Sequence, residues 1–171
     1  MEELKTAVIS ALVTNKPGVL NRVAGLFSKR SYNIESLSVC TTEDENLSRM
    51  TIVAKGDQAI LEQIVKQLAK LYNVKKVLEL DTDSYASLMR ELLLVKIRVQ
   101  PHQRPEVEST ANIYKARTVD LSPDSMVLEL TGEEGKIDAF INVVKHYGII
   151  ELARTGVTVL QRGDDSIKGS E

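Results

Sequence analysis

The stretch that decides the fold is "NKPGVLNRVAGLFSKRSYNIESLSV", residues 15–39. It opens with the turn signal "NKPG", in which Pro17 is well placed to start a helix. Over residues 18–30 the apolar side chains recur on one helical face: Val19, Leu20, Val23, Leu26 and Phe27. The residues from Asn33 onward have the composition of a strand. The stretch therefore predicts a turn, an amphipathic helix and a returning strand.

The neighbouring segments extend this pattern to a βαββαβ unit. Residues 6–14 are β-branched and small apolar residues, which predicts a strand before the helix. After the strand at 33–41, "TEDENLS" predicts a hairpin connection and "RMTIVAK" its returning strand. Asp57 can cap a second helix, and "VKKVLEL" supplies a fourth strand. Because helix and hairpin connections alternate, we expect the ferredoxin-like arrangement, an antiparallel sheet with both helices on one face.

The same order of elements returns after the polar segment "DTDSYAS". The predicted strands are "ELLLVKIRV", "ARTVDL" and "SMVLELT", with "GIIELARTG" and "VTVLQR" as closing strands; the predicted helices are "HQRPEVESTANIYK" and "GKIDAFINVVKHY". The predicted class is α+β, with two ferredoxin-like domains at residues 1–80 and 88–163. A linker is predicted at 81–87 and a flexible tail at 164–171.

Composition narrows the class of protein. Of the 171 residues, 43% are hydrophobic, which is enough for a core, and the net charge of −2 gives no overall attraction to nucleic acid or anionic lipid. No apolar run approaches the roughly 20 residues that span a bilayer, so we expect a cytoplasmic protein without a membrane partner. Cys40 is the one cysteine, and its apolar neighbours predict a thiol packed in the core. Domains of roughly 75 residues are marginally stable alone, so we expect a homodimer.

No catalytic constellation is visible in the sequence. Its two histidines, His102 and His146, have no metal-ligand spacing, and we expect both to be structural or solvated. The acidic runs "TEDEN" and "GDD" lack the alternation of an ion-binding loop. There is neither a GxGxxG nor a GxxxxGK[ST] motif. An enzyme is therefore the least supported class, and we expect no metal and no cofactor of its own.

The start of the first helix is the best candidate for binding chemistry. A helix that begins directly after a strand leaves backbone N–H groups unpaired at its positive end, where a carboxylate can bind. Gly18 would let a ligand approach the backbone, and the amides of Asn15 and Asn33 could add polar contacts. Plain turn chemistry explains the same residues, and on spacing alone it is the better supported of the two interpretations.

The long motif at 15–39, followed by "LSRMTIV", "KIDAF", "GIIELARTGV" and "QRG", closely resembles the small regulatory subunit of acetolactate synthase, also called acetohydroxyacid synthase. The resemblance runs from about residue 4 to 163. It implies an N-terminal ACT domain, an amino-acid-sensing form of the ferredoxin-like fold, and a non-catalytic subunit. It also implies a partner, the large catalytic subunit, which would carry thiamine diphosphate, magnesium and FAD. The subunit would activate that partner and confer feedback inhibition by valine, with leucine or isoleucine as further effectors.

The same resemblance assigns an effector site shared between two ACT domains. Its residues here are Asn15, Pro17, Gly18, Val19, Leu20, Asn33 and Ile34. The helix N-terminus would take the effector carboxylate, and Asn33 and Ile34 would come from the neighbouring chain. The second strand is expected at a sheet edge, where it can pair with its own copy.

Two positions depart from the family pattern. Thr14 stands where an acidic residue is common, which would weaken contact with an effector ammonium group. Ser31 stands where a glycine is usual, at a turn in which a left-handed conformation would cost about 1 kcal/mol.

Two further classes stay open beside the regulatory subunit. A stand-alone ACT-type sensor could act on another partner, although no helix-turn-helix segment supports DNA binding. An RNA-binding ferredoxin-like domain would need aromatic residues on its third strand, and "RMTIVAK" has none.

Overall fold

In the computed structural model, which describes residues 4–82 and 85–168, strand β1 (Lys5–Thr14) lies near the centre of the first sheet. Both faces of β1 are apolar, and seven consecutive residues, 7–13, are buried. It pairs antiparallel with β3 (Leu47–Gly56) and β4 (Val74–Leu80). Among the described strands of this sheet, β2 (Ile34–Thr41) pairs only with β3. The strand order is β2-β3-β1-β4, so the prediction of an edge position for the second strand is confirmed.

Two helices cover one face of this sheet. Helix α1 (Val19–Lys29) buries its apolar stripe, and α2 (Gln58–Ala69) starts at Asp57, whose carboxylate accepts a hydrogen bond from the Ile60 backbone N–H at 2.7 Å. This cap confirms the role predicted for Asp57. The core between helices and sheet includes Ile9, Ala11, Val23, Phe27, Ile52, Ile64 and Leu68.

The second sheet repeats the arrangement in the order β6-β7-β5-β8. Its elements are β5 (Ser87–Arg98), α3 (Arg104–Tyr114), β6 (Arg117–Ser122), β7 (Ser125–Gly132), α4 (Glu134–Val144) and β8 (Ile149–Arg154), with single 3₁₀ turns at Pro101–Gln103 and Lys145–Tyr147. The core includes Leu93, Val95, Ile97, Leu128, Ile137 and Phe140. The α+β class with two ferredoxin-like βαββαβ halves is thus confirmed.

A buried ion pair lies at one end of the second sheet. Glu91 is only 6% exposed, and its carboxylate accepts a hydrogen bond from Nε of Arg154. The same guanidinium donates from Nη1 to Asp138 at 2.7 Å. Because a charge as buried as Glu91 needs a partner, the partly exposed Arg154 side chain contributes to the stability of this unit.

The C-terminal residues differ from the sequence expectation. The chain divides into one unit of residues 89–156 and another that contains residues up to 88 together with those from 157 onward. Strand β9 (Thr158–Gln161), predicted as a closing strand of the second domain, thus belongs to the first unit. Ile167, in the predicted flexible tail, is 3% exposed, so the tail prediction is wrong for this residue. Residues 83–84 and 169–171 of the predicted linker and tail lie outside the described residues.

Cys40 is exposed, which contradicts the prediction of a core thiol. The residue lies on β2, opposite Arg49 of β3, and β2 is an edge strand with its last three residues exposed. Apolar neighbours in sequence therefore do not imply burial at this position.

Among the described residues, no helix is both long and apolar enough to cross a membrane.

Candidate functional site

The "NKPG" signal forms a turn that fixes the start of α1. Pro17 and Gly18 are its central residues, and Gly18 has φ 83° and ψ −6°. With proline at the second position and a positive φ at the third, these are the features of a type II turn, and the Val19 N–H reaches back to the Lys16 carbonyl at 3.4 Å. Gly18 is thus the N-cap, and Pro17 lies just outside the helix. A glycine is needed at 18 because L-residues strain this conformation.

The N-terminus of α1 is open to a ligand. A Cβ built on Gly18 would meet no heavy atom within 4 Å, and the first helical turn contains no acidic side chain. Within the part of the chain that the structure describes, the backbone N–H groups of Leu20 and Asn21 have no hydrogen-bond acceptor. The partial positive charge of the helix end is therefore not neutralised here.

The side chains after the turn divide between core and surface. Val19 is 4% exposed and belongs to the core beneath the helix, whereas Leu20 is 44% exposed. The Val19 side chain is thus not available to a ligand, whereas the Leu20 side chain can contact one directly. Pro17 is exposed beside it.

Asn15 joins the turn to the β2–β3 hairpin. Its side-chain Nδ2 donates to the Glu45 carbonyl at 2.9 Å, and its backbone N–H donates to the Asn46 carbonyl at 2.7 Å. The amide donor predicted for a ligand is therefore already used to hold the hairpin, which leaves the Oδ1 acceptor. The adjacent Thr14 accepts a hydrogen bond at Oγ1 from Nδ2 of Asn73, at 3.0 Å.

The hairpin itself is held by a carboxylate. Asp44 accepts hydrogen bonds from the backbone N–H of Asn46 at 2.9 Å and from its side chain at 3.0 Å. These two bonds lower the pKa of the Asp44 carboxyl below its ordinary value. The ionised form of Asp44 thus stabilises the loop to which Asn15 is attached.

Asn33 and Ile34 lie at the opposite end of the sheet. Ile34 pairs with Ala54 of β3, which in turn pairs with Ala7 near the start of β1. Thr14, at the other end of β1, pairs with Leu47. Seven residues of β1 separate the two levels, or roughly 23 Å at the usual strand rise. Asn33 is exposed and donates to Glu35 Oε1 at 2.9 Å, and Ile34 is half-buried against the core. One chain therefore brings together Asn15, Pro17, Gly18, Val19 and Leu20 but not Asn33 or Ile34.

The turn between α1 and β2 has the strained conformation considered from the sequence. Ser31 has φ 55°, in the left-handed region that favours glycine. Its backbone N–H donates to the Ser28 carbonyl at 3.2 Å, and the next N–H, of Tyr32, returns to Phe27 at 3.0 Å. The helix end thus keeps this geometry although the residue has a side chain.

The two histidines belong to the second unit, residues 89–156. His102 lies exposed in the 3₁₀ turn before α3, and exposed His146 contacts the Val143 carbonyl and stacks on Tyr147 with ring centroids 3.8 Å apart. Among the described residues, no group of three or more His, Cys, Asp or Glu side chains is placed to hold a metal ion.

Comparison with known proteins identifies the family. The family model described as "AHAS small subunit-like ACT domain" matches residues 9–76, and the model described as "Small subunit of acetolactate synthase" matches residues 90–163. A protein of Archaeoglobus fulgidus named "Probable acetolactate synthase small subunit" is 53% identical over 91% of this chain and 96% of its own. The chain belongs to the acetolactate synthase small-subunit family.

Two more members of this family show the same agreement over nearly the whole chain. The acetolactate synthase isozyme 3 small subunit of Escherichia coli is 45% identical over 92% of this chain and 96% of its own. The crystal structure of the acetolactate synthase small subunit from Thermotoga maritima superposes with a TM-score of 0.88 at 37% identity, covering 94% of this chain and 99% of that one. The ACT-domain and family predictions are thus confirmed, and the relatives support a regulatory-subunit role.

Sequence reasoning missed the residues that support the turn. Asn46 and Asn73 hold Asn15 and Thr14 through backbone carbonyls and a side chain. Both stand in loops at positions where asparagine is common for turn reasons alone, so no pattern in the sequence separates this support from ordinary turn chemistry.

Proposed function

We propose that this chain is the regulatory subunit of an acetolactate synthase and that it binds valine, or a related branched-chain amino acid, between two copies of its ACT domain. The effector carboxylate would accept hydrogen bonds from the N–H groups at the start of α1. The catalytic chemistry, with thiamine diphosphate, magnesium and FAD, would stay with the large subunit. Bound effector would favour a less active conformation of the complex.

The observation that carries this proposal is the separation of the two halves of the site. The family's site residues fall into an open helix N-terminus and a strand start roughly 23 Å away at the other end of the sheet. A site that uses both halves needs a second chain. Gly18 in one half and Asn33 in the other are exposed, and Asn33 directly precedes the edge strand β2.

The register of β2 is compatible with completion of the site by a second copy. Antiparallel pairing of β2 with its own copy brings the Ile34 end of one strand beside the Thr41 end of the other. Thr41 pairs with Ser48, which is level with Val13 and hence with the turn that starts α1. Asn33 of the second copy would thereby lie at the same end of the sheet as Gly18 of the first.

The exposed side chains of β2 support this pairing. The strand leaves an outer edge of backbone N–H and C=O groups without a neighbouring strand among the described residues, and Val39 on it is 44% exposed. Such an edge is prone to pair with another strand, and pairing with its own copy would cover the edges of both chains. The half-exposed Leu20 would add apolar contact for a branched aliphatic effector.

Reconstitution with the large subunit tests the proposal. The chain alone should produce no acetolactate from pyruvate, and it should raise the turnover of its cognate large subunit and make it sensitive to valine. Absence of any effect on that subunit would favour a stand-alone sensor and would contradict the proposal.

A further inference from the structure

The face of the first sheet opposite the helices is partly covered by the C-terminal residues, and the proposed effector site does not use this face. Opposite the helices, Val8, Ser10 and Leu12 point to this face, and the register places Thr51 and Arg49 of β3 beside the last two. Residues 157–168, here called the C-terminal strap, cover part of it. Hydrogen bonds within the first unit attach the strap to the sheet and to the hairpin.

The contacts of the strap lie at its start, middle and end. The Val157 backbone N–H donates to Ser36 Oγ at 3.1 Å, and Arg49 Nη1 donates to the Val159 carbonyl at 3.2 Å. Near its end, Lys168 donates to Glu43 of the hairpin, and this bond lowers the pKa of the Glu43 carboxyl. The strap also buries Val159, at 1% exposure, and Ile167, at 3%.

A cavity of about 190 Å³ lies between the strap and the sheet. The strap contributes Leu160 and Ile167 among its walls, and the sheet contributes Leu78 and Leu80. A dry apolar cavity of roughly 150 Å³ is known to hold benzene, which has six carbon atoms, so this cavity has room for about six to eight non-hydrogen atoms.

Two polar side chains, Ser10 and Arg49, line this cavity. The Ser10 hydroxyl is buried, with the residue 1% exposed, and it has no hydrogen-bond partner among the described residues. Arg49 is half-buried and its Nη1 donates to the Val159 carbonyl, while its charge also helps to lower the pKa of the Glu43 carboxyl. Buried polar groups are normally satisfied, so the unpartnered Ser10 hydroxyl, in a cavity that Arg49 also lines, points to a missing ligand that accepts hydrogen bonds.

We propose that this cavity binds a small aliphatic monocarboxylate. The carboxylate would accept hydrogen bonds from Arg49 and from the Ser10 hydroxyl, and the aliphatic body would contact the leucine and isoleucine walls. Asp165 also lines the cavity, and its charge would disfavour any carboxylate beside it, so we assign the ligand carboxylate to the side of Arg49 and Ser10. The site is on the sheet face opposite α1, so it does not depend on the proposed effector site.

Titration of the full-length chain with 3-methylbutanoate, which has seven non-hydrogen atoms, tests this inference. Amide resonances followed by NMR should shift at Ser10, Arg49 and Leu160 while those of Gly18 and Leu20 stay in place. Seven atoms can give a Kd of roughly millimolar or tighter. The uncharged 3-methylbutanamide should bind at least tenfold more weakly, because a hydrogen bond to a charged group is worth roughly tenfold or more in affinity.

Two variants and a control locate the ligand. Arg49→Met should weaken binding about ten- to a hundredfold, whereas Arg30→Met, which removes an exposed arginine bonded to Gln67, should leave it unchanged. Because Arg49 also holds the strap, Ser10→Ala is the second test; it leaves the strap contacts intact and should weaken binding about two- to tenfold.

Four results would overturn the inference, three of them from the titration itself. These are no resonance shift with 3-methylbutanoate well above the millimolar range, shifts confined to Gly18 and Leu20, or equal affinity in wild type and in both cavity variants. Saturating valine should not displace the ligand. Displacement would place the carboxylate at the effector site and would also overturn the separate cavity.

Discussion

Replacing Gly18 by aspartate tests the proposed role of the α1 N-terminus. The substitution places a carboxylate at the turn residue whose surroundings are open, with no heavy atom within 4 Å of the new Cβ. The effector carboxylate would lie next to the same N–H groups. The two negative charges would then repel each other, and the oxygens of the introduced carboxylate could occupy the N–H groups that the effector needs.

The expected loss of valine affinity follows from the distance between the two carboxylates and from the exposure of the site to solvent. Two unit charges about 4 Å apart interact by about 4 kcal/mol at an effective dielectric of ~20, and salt screening at an exposed site reduces this to roughly half. A loss of about 2 kcal/mol corresponds to a roughly thirtyfold weaker affinity for valine. Lost hydrogen bonds to the effector carboxylate would add to this figure.

Asparagine at the same position is the matched control. Gly18 has φ 83°, so either side chain strains the turn, by about 1–2 kcal/mol, and asparagine is the non-glycine residue that type II turns accept best. Gly18→Asn and Gly18→Asp thus have nearly equal shape and similar backbone strain. The difference in valine affinity between the two variants therefore measures the effect of the charge.

The assay is valine titration of the reconstituted enzyme, with thermal unfolding of each variant as a check on folding. We expect the concentration of valine for half inhibition to rise at least roughly thirtyfold more in Gly18→Asp than in Gly18→Asn, with activation of the large subunit retained in both. Equal inhibition of the two variants would refute the electrostatic reasoning. Wild-type inhibition in both would mean that the effector does not bind at this helix terminus.

Four further predictions concern stability and assembly. Ser31→Gly should raise the free energy of unfolding by about 1 kcal/mol in urea titrations, because Ser31 has φ 55°, and a lower value would show that its side chain is stabilising. Arg154→Met should cost about 3 kcal/mol by leaving buried Glu91 unpaired, whereas Lys66→Met, which breaks an exposed pair, should change stability by under about 0.5 kcal/mol. The pKa of the Asp44 carboxyl is lowered in the folded chain, so its contribution to stability is present above the unfolded pKa of ~3.9 and is lost as the pH falls through the lower folded pKa. Asp44→Asn should therefore flatten the dependence of the unfolding free energy on pH between these two pKa values. The isolated chain should sediment as a homodimer at micromolar concentration, and a monomer that still binds valine would contradict the two-chain site.

The fold could be predicted because its signals are local. Strand composition, turn signals and helical periodicity place the eight strands and four helices of the two βαββαβ units, and Asp57 caps α2 as its position before an apolar stripe indicates. The turn at Pro17 and Gly18 is likewise encoded by adjacent residues. Such features need no knowledge of what packs against them.

The features that were missed or misjudged depend on distant parts of the chain. Cys40 is exposed because β2 is an edge strand, and the residues of β2 alone do not indicate that position. Ile167 is buried because the strap returns to the first unit after the whole second unit has intervened in the chain. Ser10 offered one usable signal, a polar residue in the middle of the apolar strand "TAVISALVT". Its lack of a partner among the described residues could be recognised only from the structure.

The central claim is that each effector site takes Gly18 from one chain and Asn33 from the other, and complementation between two defective chains tests it most directly. One chain carries Gly18→Asp; the other carries Asn33→Trp, whose bulky ring at an exposed position would fill the ligand space. In a heterodimer purified through two different tags, one site combines both substitutions and the other combines two wild-type halves. Valine titration by calorimetry should show no wild-type sites in either homodimer and one wild-type site in each heterodimer. A heterodimer without any wild-type site would contradict the shared site and would place Gly18 and Asn33 in the same half.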